Sequence, residues 1–161
     1  MMKNLLFLIL FILVSCNQEP KKSIDSIKII EKSSSKEEFL EKELNVCKDL
    51  DIAIEKAKTE NKPIFIYFTG RGLPLNNNVK SNILLKNETT FNLLKNNYIN
   101  VWLYVNDKIN GRKWIEYQKN NFKYIAQPYF CILNSNGIII SKGIDYENAY
   151  KNLEQELKKY I

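Results

Sequence analysis

A three-layer α/β domain built on a mixed sheet is what this sequence predicts, and three features predict it. Helix-like stretches alternate with short strand-like runs as far as Val105, the pattern of parallel strands joined by right-handed helical crossovers. Asn134-Ser135-Asn136-Gly137 then separates two apolar runs, and Asn-Gly in that setting is the strongest short-range signal for a hairpin, which adds antiparallel strands. Finally, Tyr146, Ala149, Tyr150, Leu153, Leu157 and Tyr160 form an apolar stripe at helical spacing, so the chain closes on a helix.

The elements follow in order. Ser35-Lys36-Glu37-Glu38 has the form of a capping box, with Phe39, Leu40, Leu44 and Cys47 behind it at helical spacing. Cys47, Leu50, Ile54 and Ala57 carry a clearer helical stripe that Asn61-Lys62-Pro63 ends, because proline cannot continue a helix. Ile64 to Phe68 is a continuous apolar, aromatic and β-branched run, suited to a strand buried on both faces. Thr69-Gly70-Arg71-Gly72 turns the chain. Val79, Ile83 and Leu84, then Phe91, Leu93 and Leu94, predict one broken helix or two short ones. Val101 to Val105, extended back through Tyr98 and Ile99, is the next strand, and Gly111 to Phe122 the next helix. Tyr129 to Leu133 follows Pro128 as a third strand, with Ile138-Ile139-Ile140 returning along it. Phe65, Tyr67, Phe68, Trp102, Trp114 and Phe130 are expected in the core.

The chain of 161 residues is 45% hydrophobic and 26% charged, the balance of an ordinary globular domain. Its formal charge is +6, and Lys3 supplies one of those charges. Lysines are mixed with Asp and Glu along the whole chain and form no basic stripe, so nucleic acid is not an expected partner. There is no histidine, which excludes Ser-His-Asp and Cys-His catalysis. With only Cys47 and Cys131 in the interior, no zinc site or other metal centre is expected, and no cofactor.

Leu5 to Val14 is an unbroken apolar run after Lys3, too short for a comfortable membrane span and shaped like an export signal. It ends in Leu13-Val14-Ser15-Cys16, which resembles the lipobox of bacterial lipoproteins. That resemblance implies cleavage before Cys16 and acylation there, giving a leader at 1–15, a lipidated cysteine with a polar tether at 16–43, and a domain at 44–161. Several acyl chains hold a soluble domain at a bilayer, since each buried methylene contributes about 0.8 kcal/mol. The tether is polar, and its cluster Ile24, Ile27, Ile29 and Ile30 could add an edge strand.

Three further stretches carry a family resemblance: Ala53 to Lys58, Asn61-Lys62-Pro63 running through Phe68-Thr69-Gly70, and Ala126-Gln127-Pro128-Tyr129-Phe130 before the Asn-Gly turn. From about Leu44 to Ile161 the chain resembles the thioredoxin superfamily, above all the periplasmic thioredoxin-like domains of lipoproteins and thiol:disulfide interchange proteins. In active relatives the turn after Phe-Thr-Gly bears Cys-x-x-Cys at a helix N-terminus, whose dipole and free amides lower the first thiol's pKa. Here the turn reads Arg71-Gly72-Leu73-Pro74-Leu75-Asn76. Aligning the glycines puts Leu73 and Asn76 in the thiol positions; a shift of one puts Gly72 and Leu75 there. Neither alignment supplies a sulfur. The resemblance also implies a cis bond before Pro128, with Gln127 offering backbone groups to an extended segment of a partner. Gly70 and Gly72 permit the turn, and Arg71 on it is either a solvated charge or a contact for an acidic group.

The expected function is therefore a thioredoxin-like binding or adaptor module without catalytic residues at the usual site, held by lipid in a bacterial cell envelope, periplasm-facing or at the outer membrane, with a protein partner. The alternative is a divergent thiol-disulfide oxidoreductase that uses Cys47, Cys131 or both; apolar surroundings raise a thiol's pKa and argue against it. Metabolic labelling with palmitate should mark the protein, and Cys16→Ser should abolish the label and release the domain from membranes. A labelled, membrane-bound Cys16→Ser protein would overturn the lipobox reading.

Overall fold

The computed structural model describes residues 36–161; the leader, Cys16 and the Ile24–Ile30 cluster lie outside the described residues. The chain enters on a helix over residues 36–43 (α1). Helix α2 (Leu50–Glu60) and strand β1 (Ile64–Thr69) follow. Next come the short helix α3 (Pro74–Asn78), a wider π-type stretch Val79–Leu85, and α4 (Glu88–Asn97). Strand β2 (Ile99–Tyr104), α5 (Gly111–Phe122), β3 (Tyr129–Leu133), β4 (Ile144–Asp145) and α6 (Tyr146–Lys158) complete the chain. Among the described residues, no helix is long and apolar enough to cross a membrane.

Local chemistry sets the helix ends. The Asp49 carboxylate accepts hydrogen bonds from the Asp51 and Ile52 amides at 2.9 and 3.1 Å, satisfying donors that the first turn leaves unpaired. At the other end Asn61 takes the left-handed conformation, with φ 50°, two residues before Pro63. The Asn87 side chain caps α4 through the Thr90 amide, and Asp145 caps α6 through the Asn148 amide.

The sheet order is β2-β1-β3-β4, with β1 parallel to β2 and antiparallel to β3. All six residues of β1 are buried, as are all six of β2 and all five of β3. Alternation along the strands divides them between two faces. Phe65, Tyr67, Trp102, Phe130 and Ile132 pack under α1, α4 and α6, with Leu40, Leu94 and Leu153 as their partners. Ile64, Ile66, Phe68, Val101 and Cys131 face α2 and α5, through Ala53, Ala57 and Trp114. On the first face Phe130 stacks on both Phe65 and Tyr67, at 5.6 and 4.8 Å between centroids, and Trp102 meets Tyr67 edge-on at 5.5 Å.

Three expectations need correction. Residues 36–43 form the helix that the capping box indicates, but this stretch, placed in the tether, packs on the domain, with Leu40 and Leu44 buried in the core and Phe39 exposed; the folded unit therefore includes residues before 44. Cys47 does not belong to α2. It lies in a parallel bridge beside Val101, its amide donating to the Asn100 carbonyl at 2.8 Å and its carbonyl accepting from the Trp102 amide at 3.0 Å. Lastly, Ile138 to Ile140 does not form the returning strand. After the Asn-Gly turn the Ile140 and Ser141 amides both point at the Ile132 carbonyl, and the Ser141 hydroxyl accepts from the Ile132 amide. This bulge spoils regular pairing, leaving one bridge at Leu133 and Ile139, and the sheet resumes at Ile144–Asp145.

Leu40→Ala should destabilise the domain by about 2–5 kcal/mol, the usual cost of such a deletion in a packed core. Urea unfolding reads this directly; a change below about 0.5 kcal/mol, typical of a surface position, would mean that α1 is not part of the folded unit.

Candidate functional site

The parallel strands β1 and β2 end together, Thr69 opposite Tyr104, and β3 starts at the same end because Tyr129 lies opposite Phe68. Three connections therefore converge there: the turn after β1, the loop after β2 and the loop before β3. The bond between Gln127 and Pro128 is cis, and the pairing of Tyr129 with Phe68 sets Pro128 beside the end of β1. Gln127 is held by its side chain, which donates to the Gln118 side-chain oxygen at 3.1 Å and to the Ile125 carbonyl at 2.5 Å.

The turn is fixed by a residue the sequence did not single out. Asn106, just past β2, accepts from the Arg71 amide and donates to the Arg71 carbonyl, both at 3.0 Å, as a paired strand would. Gly72 has φ 73°, a conformation that favours glycine. Leu73 is the boundary residue of α3 and Pro74 its first residue, where a missing amide hydrogen costs nothing. Gly72 thus stands outside the helix, and Asn76 one turn inside it. Leu73 is 39% exposed, whereas Asn76 is fully buried. The Asn76 side-chain oxygen accepts from the Tyr67 hydroxyl at 2.9 Å and from the Thr69 hydroxyl at 3.2 Å. Burial raises the Tyr67 pKa far above that of an ordinary tyrosine, so it stays a neutral donor.

A second polar cluster lies behind the turn. The Arg71 guanidinium is 3.5 Å from the Glu37 carboxylate and sits 4.1 Å over the Tyr104 ring. Lys80, only 3% exposed, brings its ammonium to 3.0 Å from the other Glu37 oxygen. The Tyr104 hydroxyl donates toward Glu37 and also contacts Glu41, which pairs with Lys48 at 2.8 Å. Burial pulls the Lys80 pKa down in spite of the Glu37 charge. Burial pushes Glu41 up, but hydrogen bonds from Lys48 and Tyr104 outweigh it and leave that carboxyl below its usual value. Arg71, its side chain 56% exposed, thus has a carboxylate of its own domain at 3.5 Å, one that it shares with Lys80. Glu37, Glu41, Lys80, Tyr104 and Asn106 were all missed from sequence; the only hint was a lysine inside the apolar pattern of Val79, Ile83 and Leu84.

Cys47 and Cys131, the two cysteines among the described residues, are free. Strand register places them in one row, Cys47 beside Val101, Val101 beside Ile66, and Ile66 beside Cys131. Three strand spacings of about 4.8 Å separate their Cα atoms by roughly 14 Å, twice what a disulfide spans. Cys131 is fully buried, and desolvation raises its thiol pKa well above the free value. Among the described residues, no three His, Cys, Asp or Glu side chains lie together as a metal ion would require.

This architecture is a thioredoxin fold. Solved structures share it: a disulphide isomerase from Xylella fastidiosa Temecula1 (20% identity, TM-score 0.51) matches over 68% of this chain and 83% of its own. A thioredoxin from Thermus thermophilus (13%, TM-score 0.55) matches over 70% and 83%. The oxidoreductase DsbH (16%, TM-score 0.53) matches over 71% and 85%. No family model matches the sequence, and no curated protein matches it.

Replacing Leu73 and Asn76 together by cysteine should yield a protein that bridges the two new thiols and reduces a test disulfide, since turn and helix start are in place. The variant should be less stable by about 1–3 kcal/mol, because the Tyr67 and Thr69 hydroxyls lose their buried acceptor. A folded double variant that neither bridges nor reduces would show that these are not the thiol positions.

Proposed function

We propose that this protein is a lipid-anchored binding or adaptor module of a bacterial cell envelope, redox-inactive at the position where thioredoxin-fold oxidoreductases carry their thiols. The observation that carries this reading is Asn76. At the inner thiol position stands a buried amide bonded to Tyr67 and Thr69, so the space is filled by a group that can neither attack a sulfur nor leave as a thiolate. The outer position is Leu73, an exposed apolar side chain suited to contact and not to exchange.

The surroundings support binding. Leu73, Leu75, Ile109, Tyr124 and Ile125 all remain exposed on the three connections at this end of the sheet, five of the eleven exposed large apolar side chains among the described residues. Such clustering marks contact surfaces more often than chance scatter does. These exposed side chains suit an apolar stretch of a protein partner. The competing reading, exchange through Cys47 and Cys131 as a pair, is opposed by their separation, and Cys131 alone is buried and hard to ionise.

In an insulin reduction assay with dithiothreitol the protein should give the uncatalysed rate, before and after alkylation. Catalysis that disappears in Cys47→Ser or Cys131→Ser would sink the reading. A photoreactive residue at Leu73, activated in intact envelopes, should capture a discrete envelope protein.

A further inference from the structure

A lysine on a helix ordinarily carries its ammonium out to water. Lys80 does not: it is 3% exposed, lies beside the buried Val79, Ile83 and Leu84, and its ammonium stands 5.4 Å from the centres of both the Trp102 and Tyr104 rings. Its counter-charge comes from α1, where a Glu37 oxygen is 3.0 Å away, and among the described residues Glu37 is the one carboxylate paired with it. The other groups facing this pair come from several elements. They are Glu41 of α1, Lys48 just after α1, Arg71 of the turn, and Tyr104 of β2, whose hydroxyl reaches both carboxylates. Tyr67 of β1 lies in the field of Glu37 and Asp107 in that of Arg71, while Glu43 meets Lys95 of α4 at 2.8 Å on the exposed side of α1.

The apolar hold on α1 is small by comparison. Leu40 and, just past the helix, Leu44 are buried, but Phe39 is exposed. If Glu37 takes up a proton, the Lys80 ammonium is left buried with Arg71 as its nearest ionised neighbour, and an uncompensated buried charge is strongly unfavourable. Lys80 cannot turn outward without dragging its buried neighbours along, whereas α1 can withdraw and admit water to the ammonium.

We propose that Glu37, Glu41, Lys80 and Tyr104 form a proton-sensitive latch: with its carboxylates ionised it holds α1 and Arg71 on the domain, and acid releases both. The latch goes beyond the binding-module reading and stands or falls apart from it. The sign is the same for both shifted groups. Burial holds Lys80 below the usual lysine value, and hydrogen bonds from Lys48 and Tyr104, outweighing burial, hold Glu41 below the usual carboxyl value. Docked, each group has therefore released its proton over a range in which the undocked group, in water, retains it, so proton uptake favours release. The Lys80 charge opposes docking throughout the neutral range, and the Glu41 contribution is lost as pH falls from the usual carboxyl value through the docked one.

Hydrogen exchange of the full chain, corrected for the intrinsic pH dependence of exchange, tests this at the Leu44 and Val46 amides, which donate to the Leu40 and Glu41 carbonyls. Between about pH 7 and about pH 3.5 their protection should fall on the order of tenfold, the effect of one unit of differential pKa, while β1 stays protected. Glu37→Gln should bring on a similar fall at neutral pH. A chain with Glu37→Gln, Glu41→Gln and Lys80→Met together should change less than about threefold over the same range, because the cluster no longer titrates. Unchanged protection of the wild-type amides in acid would overturn the proposal. So would loss of protection in β1 at the same pH, which is acid unfolding of the whole domain, or a wild-type response that persists in the triple variant.

Discussion

Everything in this domain hangs on β1 being buried from end to end. It pairs in parallel with β2 along all six residues and antiparallel with β3 from Ile64 to Phe68, and each of its six side chains is shut off from water. Burial of an Ile or Phe contributes roughly 1.5–3 kcal/mol, and both faces of β1 draw on it. The same strand sets the direction of the turn that follows. Because β1 and β2 are parallel, both deliver their C-terminal loops to one end, and the antiparallel β3 starts there as well. The site is thus a consequence of strand direction, not of any local motif.

That end of the sheet is stiffened by polar groups, in the absence of a disulfide. Asn106 holds the Arg71 backbone on both sides, and Asn76 ties the first turn of α3 to Tyr67 and Thr69. The Glu37, Lys80 and Tyr104 cluster joins α1, the π-type stretch and β2 behind them. Buried ion pairs add little net stability when their desolvation is counted, but removing one partner is costly, and so such a cluster fixes one arrangement firmly. Here the arrangement it fixes is the approach of α1 to the turn.

No thiol is needed to hold this turn. Asn76 accepts from the Tyr67 and Thr69 hydroxyls from inside the first turn of α3, and Leu73 stands exposed at the boundary of that helix. What an exposed leucine offers is apolar contact, which is non-directional and depends on area.

The sequence by itself determined the element order and most of the boundaries, because burial periodicity and end signals are local: Asn61-Lys62-Pro63 ends α2, the run Ile64 to Phe68 lies on both faces, and Gly111 to Phe122 is a helix as its pattern indicates. It also determined that no sulfur stands in the turn. The returning strand was misjudged, since the bulge at Ser141 arises from a hydroxyl competing for the Ile132 amide, a contact between residues nine apart that no periodicity encodes. Only the tertiary structure decided that α1 belongs to the core, that Cys47 and Cys131 are three strands apart, and that Arg71 is matched by Glu37. Each of these is a relation between segments distant in the chain, and each depends on where packing brings them rather than on the residues that flank them.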